Sequence, residues 1–384
     1  MLKKKFIIAT HQILTSRQSA KVIRFANSVS SRHDIPNTQK GVLSIDLKYV
    51  NDQKKRWQNH MNPIIPYYAI KSLPDKKVIQ SLTHFDCASK EEIKNVLSEG
   101  VPPGNIIYAN TTKSEPYIKF ANNNGVNLMT ADSVSECKKI MDIDKQIKIV
   151  LRLAVNDAGA RTTFSSKFGI TNFEQLVKIV DYINNNDGNL HGFSFHVGSG
   201  QDNVLLYKEA LDKVDIAIDH IRWKHPQLYK NISMINIGGG FTHSSDLKKL
   251  RTSIDPYIKK YSNYKWIAEP GRYFSENAGI LICPVIGEKY IGTKKCFVIA
   301  DNIYQTFSNI KYDSYKVVFN SDELGDDGVI FGNSCDSQDV IFQGRLPQGI
   351  GVGTIIIFLH TGAYTSASSC NFNGLEKPEI VYNN

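Results

Sequence analysis

A single lysine in the first third of the chain stands out for its chemistry. Lys71 directly follows Pro66-Tyr-Tyr-Ala-Ile70, an apolar run typical of a buried strand. Because removing an ammonium group from water costs free energy, a lysine held at such a position tends to lose its proton. A neutral amine is the nucleophile that forms a Schiff base with a carbonyl compound. Lys71 also suits a charge that surfaces at a strand end, so its neighbours must decide between the two interpretations.

Two glycine-rich segments follow later apolar runs, and each could bind a phosphate group. They are His196-Val-Gly-Ser-Gly200 and Gly238-Gly-Gly240. Such loops present backbone N–H groups closely to an anion, and Arg272 could add positive charge. Neither segment matches a Walker sequence or the Gly-x-Gly-x-x-Gly dinucleotide fingerprint. The pattern favours a smaller phosphate-bearing cofactor, although three successive glycines also suit a tight bend.

These residues follow apolar runs that alternate with longer amphipathic segments. The runs are 64–70, 106–109, 126–130, 147–153, 190–197, 234–237 and 266–268. The segments with helical spacing are 89–97, 114–122, 132–141, 173–184 and 205–223. Such alternation predicts parallel strands buried on both faces. Seven or eight units over about 230 residues favour an α/β fold of the (β/α)8 barrel type, whose reactive residues lie at the C-terminal ends of the strands.

The pattern changes after about residue 278. Helical spacing ends, and short segments rich in Val, Ile, Phe and Tyr follow at 279–286, 296–300, 315–319, 329–331 and 354–359. They predict an antiparallel β domain, with an acidic, exposed loop at 320–328. The expected organisation is an N-terminal segment over 1–41 whose strand joins the β domain, a barrel over 42–278 and a C-terminal β domain over 279–384.

Composition and charge narrow the class of protein. The 384 residues carry a formal net charge of +9, but the lysines are spread along the chain and no nucleic-acid motif accompanies them. No run of about 18 apolar residues exists, so no membrane span is predicted. Six cysteines without a Cys-x-x-Cys pair signal neither a metal site nor a disulfide framework, which favours a reducing compartment such as the cytoplasm.

The first 33 residues contain seven Lys or Arg and no Asp or Glu, which resembles an organellar transit peptide. We favour an edge strand followed by a linker for this segment.

Seven motifs together resemble the ornithine decarboxylase family, which are fold-type III, group IV amino-acid decarboxylases that use pyridoxal 5′-phosphate (PLP). The motifs are Tyr68-Ala-Ile-Lys71, Phe85-Asp-Cys-Ala-Ser89, Ser194-Phe-His-Val-Gly-Ser-Gly200, Asn236-Ile-Gly-Gly-Gly-Phe241, Glu269-Pro-Gly-Arg272, Cys335-Asp336 and Gly362-Ala-Tyr-Thr365. They occur in the family's order from about residue 41 onward, and collinear motifs are far more specific than any one of them. The resemblance implies a PLP-binding barrel joined to a β domain, as expected above.

The resemblance also implies how the cofactor is held. Lys71 would hold PLP as a Schiff base, His196 would stack on its ring and Glu269 would pair with the pyridine nitrogen. The residues implied to bind the phosphate or line the cofactor are Ser199, Gly238, Gly239, Gly240, Pro270, Gly271, Arg272 and Tyr364. Asp86 and Arg152 would support the site. Because a carboxylate favours the protonated pyridine, the stronger electron sink, Glu269 favours decarboxylation over racemisation.

A homodimer with two shared active sites is implied as well. Cys335 would return a proton to Cα after CO2 leaves, although by sequence alone such a cysteine is more often a small buried hydrophobe. Asp336 would bind the distal ammonium group of a substrate held in the partner subunit's active site. The substrate-binding set implied is Tyr304, Tyr312, Asp313, Asp336 and Phe372. An antizyme-like protein is a candidate regulatory partner.

Charge placement favours L-ornithine as the substrate, converted to putrescine and CO2 in polyamine biosynthesis. Two carboxylates at the far end of the pocket suit a terminal ammonium group. Lysine is longer by one methylene, worth only about 1–3 kcal/mol of discrimination, so lysine stays an alternative, as do arginine and diaminopimelate.

Several positions depart from the family's pattern. Ser72-Leu73 follows the lysine where Cys-Asn is common, and Asn302 and Gln305 stand where the family has glycines. These changes leave catalytic efficiency and pocket shape open. A non-catalytic regulatory homologue like the antizyme inhibitors is the alternative from another class, but those proteins lose cofactor contacts that this chain keeps.

Overall fold

The computed structural model describes residues 5–10, 14–310, 317–320 and 323–383. The chain forms two compact units, Asn51–Phe274 and Met1–Val50 together with Ser275–Asn384. We call them the barrel unit and the β unit.

The strands, in chain order, are β1 (Phe6–Thr10), β2 (Val42–Asp46), β3 (Ile65–Pro66), β4 (Tyr68–Ala69), β5 (Phe85–Cys87), β6 (Ile106–Tyr108), β7 (Leu128–Ala131), β8 (Lys148–Arg152), β9 (Asn189–Ser194), β10 (Met234–Asn236), β11 (Lys265–Ala268), β12 (Gly279–Ile291), β13 (Lys294–Ile299), β14 (Val318–Phe319), β15 (Leu324–Phe331), β16 (Val340–Pro347), β17 (Ile355–Leu359) and β18 (Glu379–Asn383). The helices are α1 (Ser16–Arg32), α2 (Ile35–Thr38), α3 (Leu47–Met61), α4 (Lys76–Ser81), α5 (Lys90–Ser98), α6 (Glu115–Asn123), α7 (Val134–Ile143), α8 (Phe173–Asn185), α9 (Val204–Lys224), α10 (Pro226–Tyr229), α11 (Leu247–Lys260) and α12 (Arg272–Ser275). Short 3-10 turns occupy Ile70–Ser72, Pro103–Asn105, Glu276–Ala278, Ser366–Ser368 and Phe372–Gly374.

The barrel unit is a closed parallel sheet surrounded by helices. Its strand order is β3-β11-β10-β9-β8-β7-β6-β5-β4. Only Tyr67 separates β3, which pairs with β11, from β4, which pairs with β5, so the two short strands close the sheet on itself. The prediction of a (β/α)8 barrel is confirmed.

The barrel core follows from the sequence pattern. Tyr67, Ile107, Leu128, Val150 and Ile267, each on or next to a different strand, pack against one another inside the barrel. Several helices begin at a polar cap: Ser89 accepts a hydrogen bond at the start of α5, Ser133 at α7 and Asn172 at α8. Each cap satisfies a backbone N–H group that has no partner within the helix, which fixes where the helix starts.

The β unit contains a nine-stranded mixed sheet. Its main path is β14-β1-β17-β12-β13-β15-β16, and β2 pairs with both β12 and β18. The expectation of a purely antiparallel domain is wrong, because β1 pairs with β17, β13 with β15 and β18 with β2 in parallel. These pairs join strands that are distant in sequence, and a long connection permits either direction, whereas a hairpin permits only the antiparallel one.

The residues of β17 show how this sheet is covered. Ile355 and Ile357 pack with Ala26 and Val29 of α1, whereas Ile356 and Phe358 pack into a cluster on the opposite face. Because successive strand residues point to opposite faces, one apolar strand serves two cores.

The N-terminal segment differs from its prediction. The strand β1 pairs on both sides, with β14 and β17, and is therefore not an edge. The expected linker is the 17-residue helix α1. The strand β2 belongs to the β unit, and the compact units divide after Val50 rather than at residue 42. Strand β15 also begins at Leu324, inside the segment expected to be a loop.

Among the described residues, no helix has the length and apolar character needed to cross a membrane.

Candidate active site

Lys71 pairs with a carboxylate at the C-terminal end of the barrel. It lies in the 3-10 turn after β4, and its Nζ is 2.7 Å from Oδ2 of Asp86 on β5. The alignment of Ala69 with Asp86 in this strand pair brings the two side chains together. The Lys71 side chain is 45% exposed and that of Asp86 only 1%. Of the two interpretations of Lys71, this exposure fits the one in which the amine surfaces at the strand end, because the turn carries it out of the buried strand.

Asp86 has an acceptor without a partner. Its Oδ1 is buried and makes no hydrogen bond in the described part of the chain. The hydroxyl of Ser194, at the end of β9, is likewise buried without a partner. Because buried polar atoms are almost always hydrogen-bonded, two such atoms at strand ends indicate room for a polar group supplied from outside the chain.

Glu269 follows β11, and its position is fixed from the neighbouring strand β10. The amide nitrogen of Asn236 donates to Glu269 Oε1 at 2.7 Å, and its Oδ1 accepts from the N–H of Gly238 at 2.9 Å. Burial, aided by the negative charge of Asp86, raises the pKa of Glu269 to about 7, against the opposing effects of Lys71, Asn236 and Arg152. Asn236 was quoted in a motif but given no role. Its signal in the sequence was a polar residue ending a buried strand.

His196, after β9, is held in one orientation and one tautomer. Its Nδ1 accepts a hydrogen bond from the N–H of Gly198 at 3.0 Å. Burial, followed by the positive charges of Arg152 and Lys71, lowers the pKa of His196 well below its usual value. The imidazole is therefore neutral at pH 7 and carries its proton on Nε2. A neutral imidazole would add no charge to a cofactor ring stacked on it.

The three-glycine loop requires its glycines. Gly238 and Gly240 have φ values of 64° and 108°, a region that favours glycine. A Cβ on Gly239 would lie 2.6 Å from His196 Nε2. From α9, the hydroxyl of Tyr207 donates to the carbonyl of Gly239 at 2.9 Å. The loop is therefore a fixed cradle whose backbone can approach a ligand closely, and Tyr207 is a support that the sequence did not reveal.

A serine and two arginines provide polar and positive groups at the same end of the barrel. Arg272 is buried, and its Nε donates to Ser199 Oγ at 3.4 Å. Arg152 is the last residue of β8 and lies over the ring of Phe168 at 4.9 Å. Burial lowers the pKa of Arg152, and Glu269, with three aspartates, opposes this effect, so the guanidinium remains charged.

Pro270 and Gly271 complete this end of the barrel. The carbonyl of Pro270 accepts from the N–H of Ala69 at 3.3 Å, and that of Gly271 accepts from Phe274 at 3.0 Å. They tie the end of β11 to β4 and start α12. All the barrel residues predicted to bind the cofactor thus lie at the C-terminal ends of the strands.

These barrel residues fit PLP. Lys71 provides an accessible amine, Glu269 a carboxylate, and the glycine loop with Ser199 and Arg272 a cradle for a phosphate. The unpartnered oxygens of Asp86 and Ser194 are consistent with a polar ligand.

A second cluster lies in the β unit. We call Tyr304, Cys335, Asp336 and Phe372 the β-unit cluster. The hydroxyl of Tyr304 donates to Asp336 Oδ2 at 2.6 Å, and its ring stacks on Phe372 with centroids 4.1 Å apart. The hydrogen bond to Asp336 raises the pKa of Tyr304 to about 12, so the phenol stays protonated. Cys335 is exposed rather than buried, and its N–H donates to Asn373 at 2.8 Å.

The remaining predicted residues also belong to the β unit. Tyr364 has a φ of 57°, which is rare for a bulky residue and typical of functional loops. Tyr312 and Asp313 lie outside the described residues. The predicted cofactor residues therefore lie in the barrel unit, with the exception of Tyr364. Four of the predicted catalytic and substrate-binding residues lie in the β-unit cluster.

The chain is similar to known proteins over most of its length. Residues 47–276 match the family model for the pyridoxal binding domain of pyridoxal-dependent decarboxylases. The ornithine decarboxylase of Schizosaccharomyces pombe is 32% identical over 362 residues, which cover 88% of this chain and 82% of the relative.

Two solved structures resemble both units. The arginine decarboxylase of Paramecium bursaria Chlorella virus is 29% identical with a TM-score of 0.84, covering 94% of this chain and 100% of that one. The lysine/ornithine decarboxylase of Vibrio vulnificus, complexed with cadaverine, is 25% identical with a TM-score of 0.84, covering 97% and 100%. With its barrel, its strand-end lysine and these relatives, the chain belongs to the ornithine decarboxylase family of fold-type III, PLP-dependent decarboxylases.

Proposed function

We propose that this decarboxylase acts on a basic amino acid and that L-ornithine is its favoured substrate, giving putrescine and CO2. The observation that carries the proposal is the Tyr304–Asp336 pair, an acidic group held by a 2.6 Å hydrogen bond beside a stacked aromatic pair. A carboxylate next to aromatic faces suits an alkylammonium group. The relatives reported above are named for ornithine, arginine and lysine, which all end in a cationic group.

The barrel residues would hold the cofactor. Lys71 is assigned to the PLP aldehyde, His196 and Glu269 to its ring, and the glycine loop, Ser199 and Arg272 to its phosphate. When bound, PLP supplies an electron sink for the electron pair left at Cα after CO2 departs. Neutral His196 adds no charge beside the ring, and the carboxylate of Glu269 favours a positive charge on the ring nitrogen.

Two residues of the β-unit cluster act on the substrate. The thiol of Cys335, which is exposed, donates its proton to Cα, and the carboxylate of Asp336 binds the distal ammonium. Tyr304 keeps its proton, because its pKa is about 12, and so remains a hydrogen-bond donor to Asp336. This bond to Oδ2 and a second one, from the N–H of Gln338 to Oδ1 at 2.9 Å, fix the orientation of the carboxylate.

We further propose a homodimer in which Cys335 and Asp336 serve the active site of the partner subunit. Both residues lie in the β unit, whereas Lys71 lies in the barrel unit. A cytoplasmic location is proposed from the six cysteines, all of which are free thiols. Control by an antizyme-like protein stays a proposal from the family resemblance.

The test is CO2 release by the purified protein with added PLP, measured on ornithine, lysine, arginine and diaminopimelate. We expect the highest kcat/KM for ornithine and the next highest for lysine. A preference for arginine or diaminopimelate would overturn the substrate assignment. Absence of turnover on all four, together with absence of the visible PLP band, would instead favour the non-catalytic regulatory homologue.

The assignment of Lys71 is tested in parallel. Lys71→Ala should abolish turnover and the incorporation of cofactor by borohydride reduction, because the nucleophilic amine is gone. The matched control is Lys178→Ala, which removes an exposed lysine of α8 and should change neither.

A further inference from the structure

Three separate segments of the β unit carry the β-unit cluster. Tyr304 lies on residues 301–308, Cys335 and Asp336 on 332–339, and Phe372 on 366–376. Because no single helix or strand contains all four residues, their mutual geometry depends on bonds between the segments. Asp339 of the second segment accepts from the N–H of Ile303 in the first, whereas Asp301 accepts from the N–H of Thr306 within the first segment. The side chains of Asn302 and Gln305 add two further links between the segments.

Asn302 links the first segment to the second. Its side chain is fully buried, at 0% exposure. Its Nδ2 donates to Asn333 Oδ1 at 2.7 Å, and its Oδ1 accepts from the N–H of Tyr304 at 2.9 Å. One amide therefore fixes the backbone of Tyr304 and, at the same time, the residue two positions before Cys335.

Gln305 links the first segment to the third. It is 1% exposed, and its Nε2 donates to the carbonyls of Leu375 and Glu376 at 3.1 and 2.8 Å. These carbonyls directly follow the turn Phe372–Gly374. The link holds the turn that stacks Phe372 against Tyr304.

Glycine could not make either link. Glycine has no side chain with which to bond another segment. Neither Asn302 nor Gln305 has a positive φ, so the backbone here does not need the conformational freedom of glycine. The two side chains therefore provide these hydrogen bonds without backbone strain, although the buried Oε1 of Gln305 has no hydrogen-bond partner in the described part of the chain.

We propose that Asn302 and Gln305 are positioning residues that fix Tyr304, Asp336 and Phe372 at the end of the pocket that receives the substrate's ammonium group, and that they thereby set the preferred side-chain length. This inference rests on the proposed function, because it takes Asp336 as the partner of that group. A rigid cluster places the carboxylate at one distance from the reacting carbon and so discriminates between substrates that differ by one methylene.

The experiment compares Asn302→Gly, Gln305→Gly and Asn333→Ala with the unchanged enzyme, all loaded with PLP, on ornithine and lysine. For each variant we expect KM for the preferred substrate to rise about 3- to 10-fold, because one or two buried hydrogen bonds are lost. We expect kcat to stay within about 2-fold of that of the unchanged enzyme. The ratio of kcat/KM for the two substrates should move towards one. The double variant N302G/N333A should be no worse than N302G, because both changes remove the same hydrogen bond.

The outcomes separate this inference from the proposed function. Asp336→Ala serves as the reference: an unchanged KM in that variant would refute the proposed ammonium site itself. If Asp336→Ala raises KM but N302G and Q305G leave KM and the substrate ratio unchanged, the positioning role alone is refuted. An equal loss of kcat on both substrates without a change in their ratio would also refute it, since that is the sign of a general structural defect. Asn333→Ala, which keeps residue 302 intact, carries the test if N302G does not fold.

Discussion

Glu269 combines a carboxylate with surroundings that disfavour its charge when no cofactor is bound. Burial and Asp86 raise its pKa to about 7, while the Asn236 amide offers the ionised form a hydrogen bond at 2.7 Å. A raised pKa in the folded state means that ionisation opposes folding. In the absence of PLP, the stabilising contribution of the neutral carboxyl is complete below about pH 4.5 and is lost as the pH rises through about 7.

Glu269→Gln should remove this pH dependence. The variant keeps an oxygen that accepts from Asn236 but never ionises. Without PLP, we expect the variant to be more stable than the unchanged protein above pH 7, by at most about 3 kcal/mol, and the difference to vanish towards pH 4.5. Melting temperatures of the two proteins from pH 4.5 to 8 would show it. A constant difference across that range would contradict the raised pKa.

Asn236→Ala tests the support of the cofactor site. The change removes the donor to Glu269 and the acceptor for the Gly238 N–H, so both the carboxylate and the glycine loop lose an anchor. We expect PLP affinity to fall about 10-fold, which corresponds to one or two buried hydrogen bonds. Titration of the visible PLP band would measure it.

The matched control is Asn189→Ala. Asn189 begins β9 at the other end of the barrel and donates to the carbonyl of Gln146. The loss of the Asn189 side-chain amide should leave PLP affinity unchanged. Equal effects of the two variants would mean that Asn236 acts only through general stability.

At the scale of elements, helix α1 was not predicted although its cap is present in the sequence. Thr15 accepts from the N–H of Gln18, and the side chain of Gln18 accepts from the N–H of Thr15. Thr15→Ala removes one half of this capping box and should destabilise the β unit by about 1 kcal/mol. Thermal unfolding would detect it. Ser28→Ala, on the exposed face of the same helix, should have no such effect, and an equal loss in both would show that the cap contributes nothing.

The elements that sequence reasoning found are those whose pattern is local. Alternating apolar runs and capped amphipathic segments predicted the barrel. Lys71, His196 and Glu269 were predicted as site residues because they follow such strands, and the structure places them at the strand ends. The missing information was in contacts distant in sequence. The segment of α1 is rich in serine and basic residues and was not recognised as a helix; it packs against Ile355 and Ile357, which are distant in sequence. The parallel partners of β1 and β18 are also distant in sequence and cannot be predicted from a local pattern.

The supporting residues of the site were missed for the same reason. Tyr207 resembles any other aromatic residue of an amphipathic helix, and only the fold brings its hydroxyl to Gly239. Asn302 and Gln305 were interpreted as departures that left pocket shape open, since their bonds to Asn333 and to residues 375–376 span about 30 and 70 positions of the chain.

At the scale of the whole molecule, the net charge of +9 does not attract a cationic substrate. A local carboxylate must then attract the cationic end of the substrate, and we propose Asp336 for this role. The proposal that this carboxylate serves a partner's barrel makes the dimer part of the active site rather than a means of stabilisation.

Mixing two inactive variants tests this arrangement. Lys71→Ala damages the barrel unit and Cys335→Ala damages the β unit. In a dimer with shared sites, a mixed dimer contains one site with both residues intact, so co-expression of the two variants should restore up to about a quarter of the normal activity, given random pairing. The matched control mixes Lys71→Ala with Glu269→Gln: both changes affect barrels, so every site is damaged and no activity should return. Recovery of activity in the first mixture and not in the second requires that Cys335 of one chain works with Lys71 of the other. A first mixture that forms mixed dimers but stays inactive means that each chain contains its own complete site.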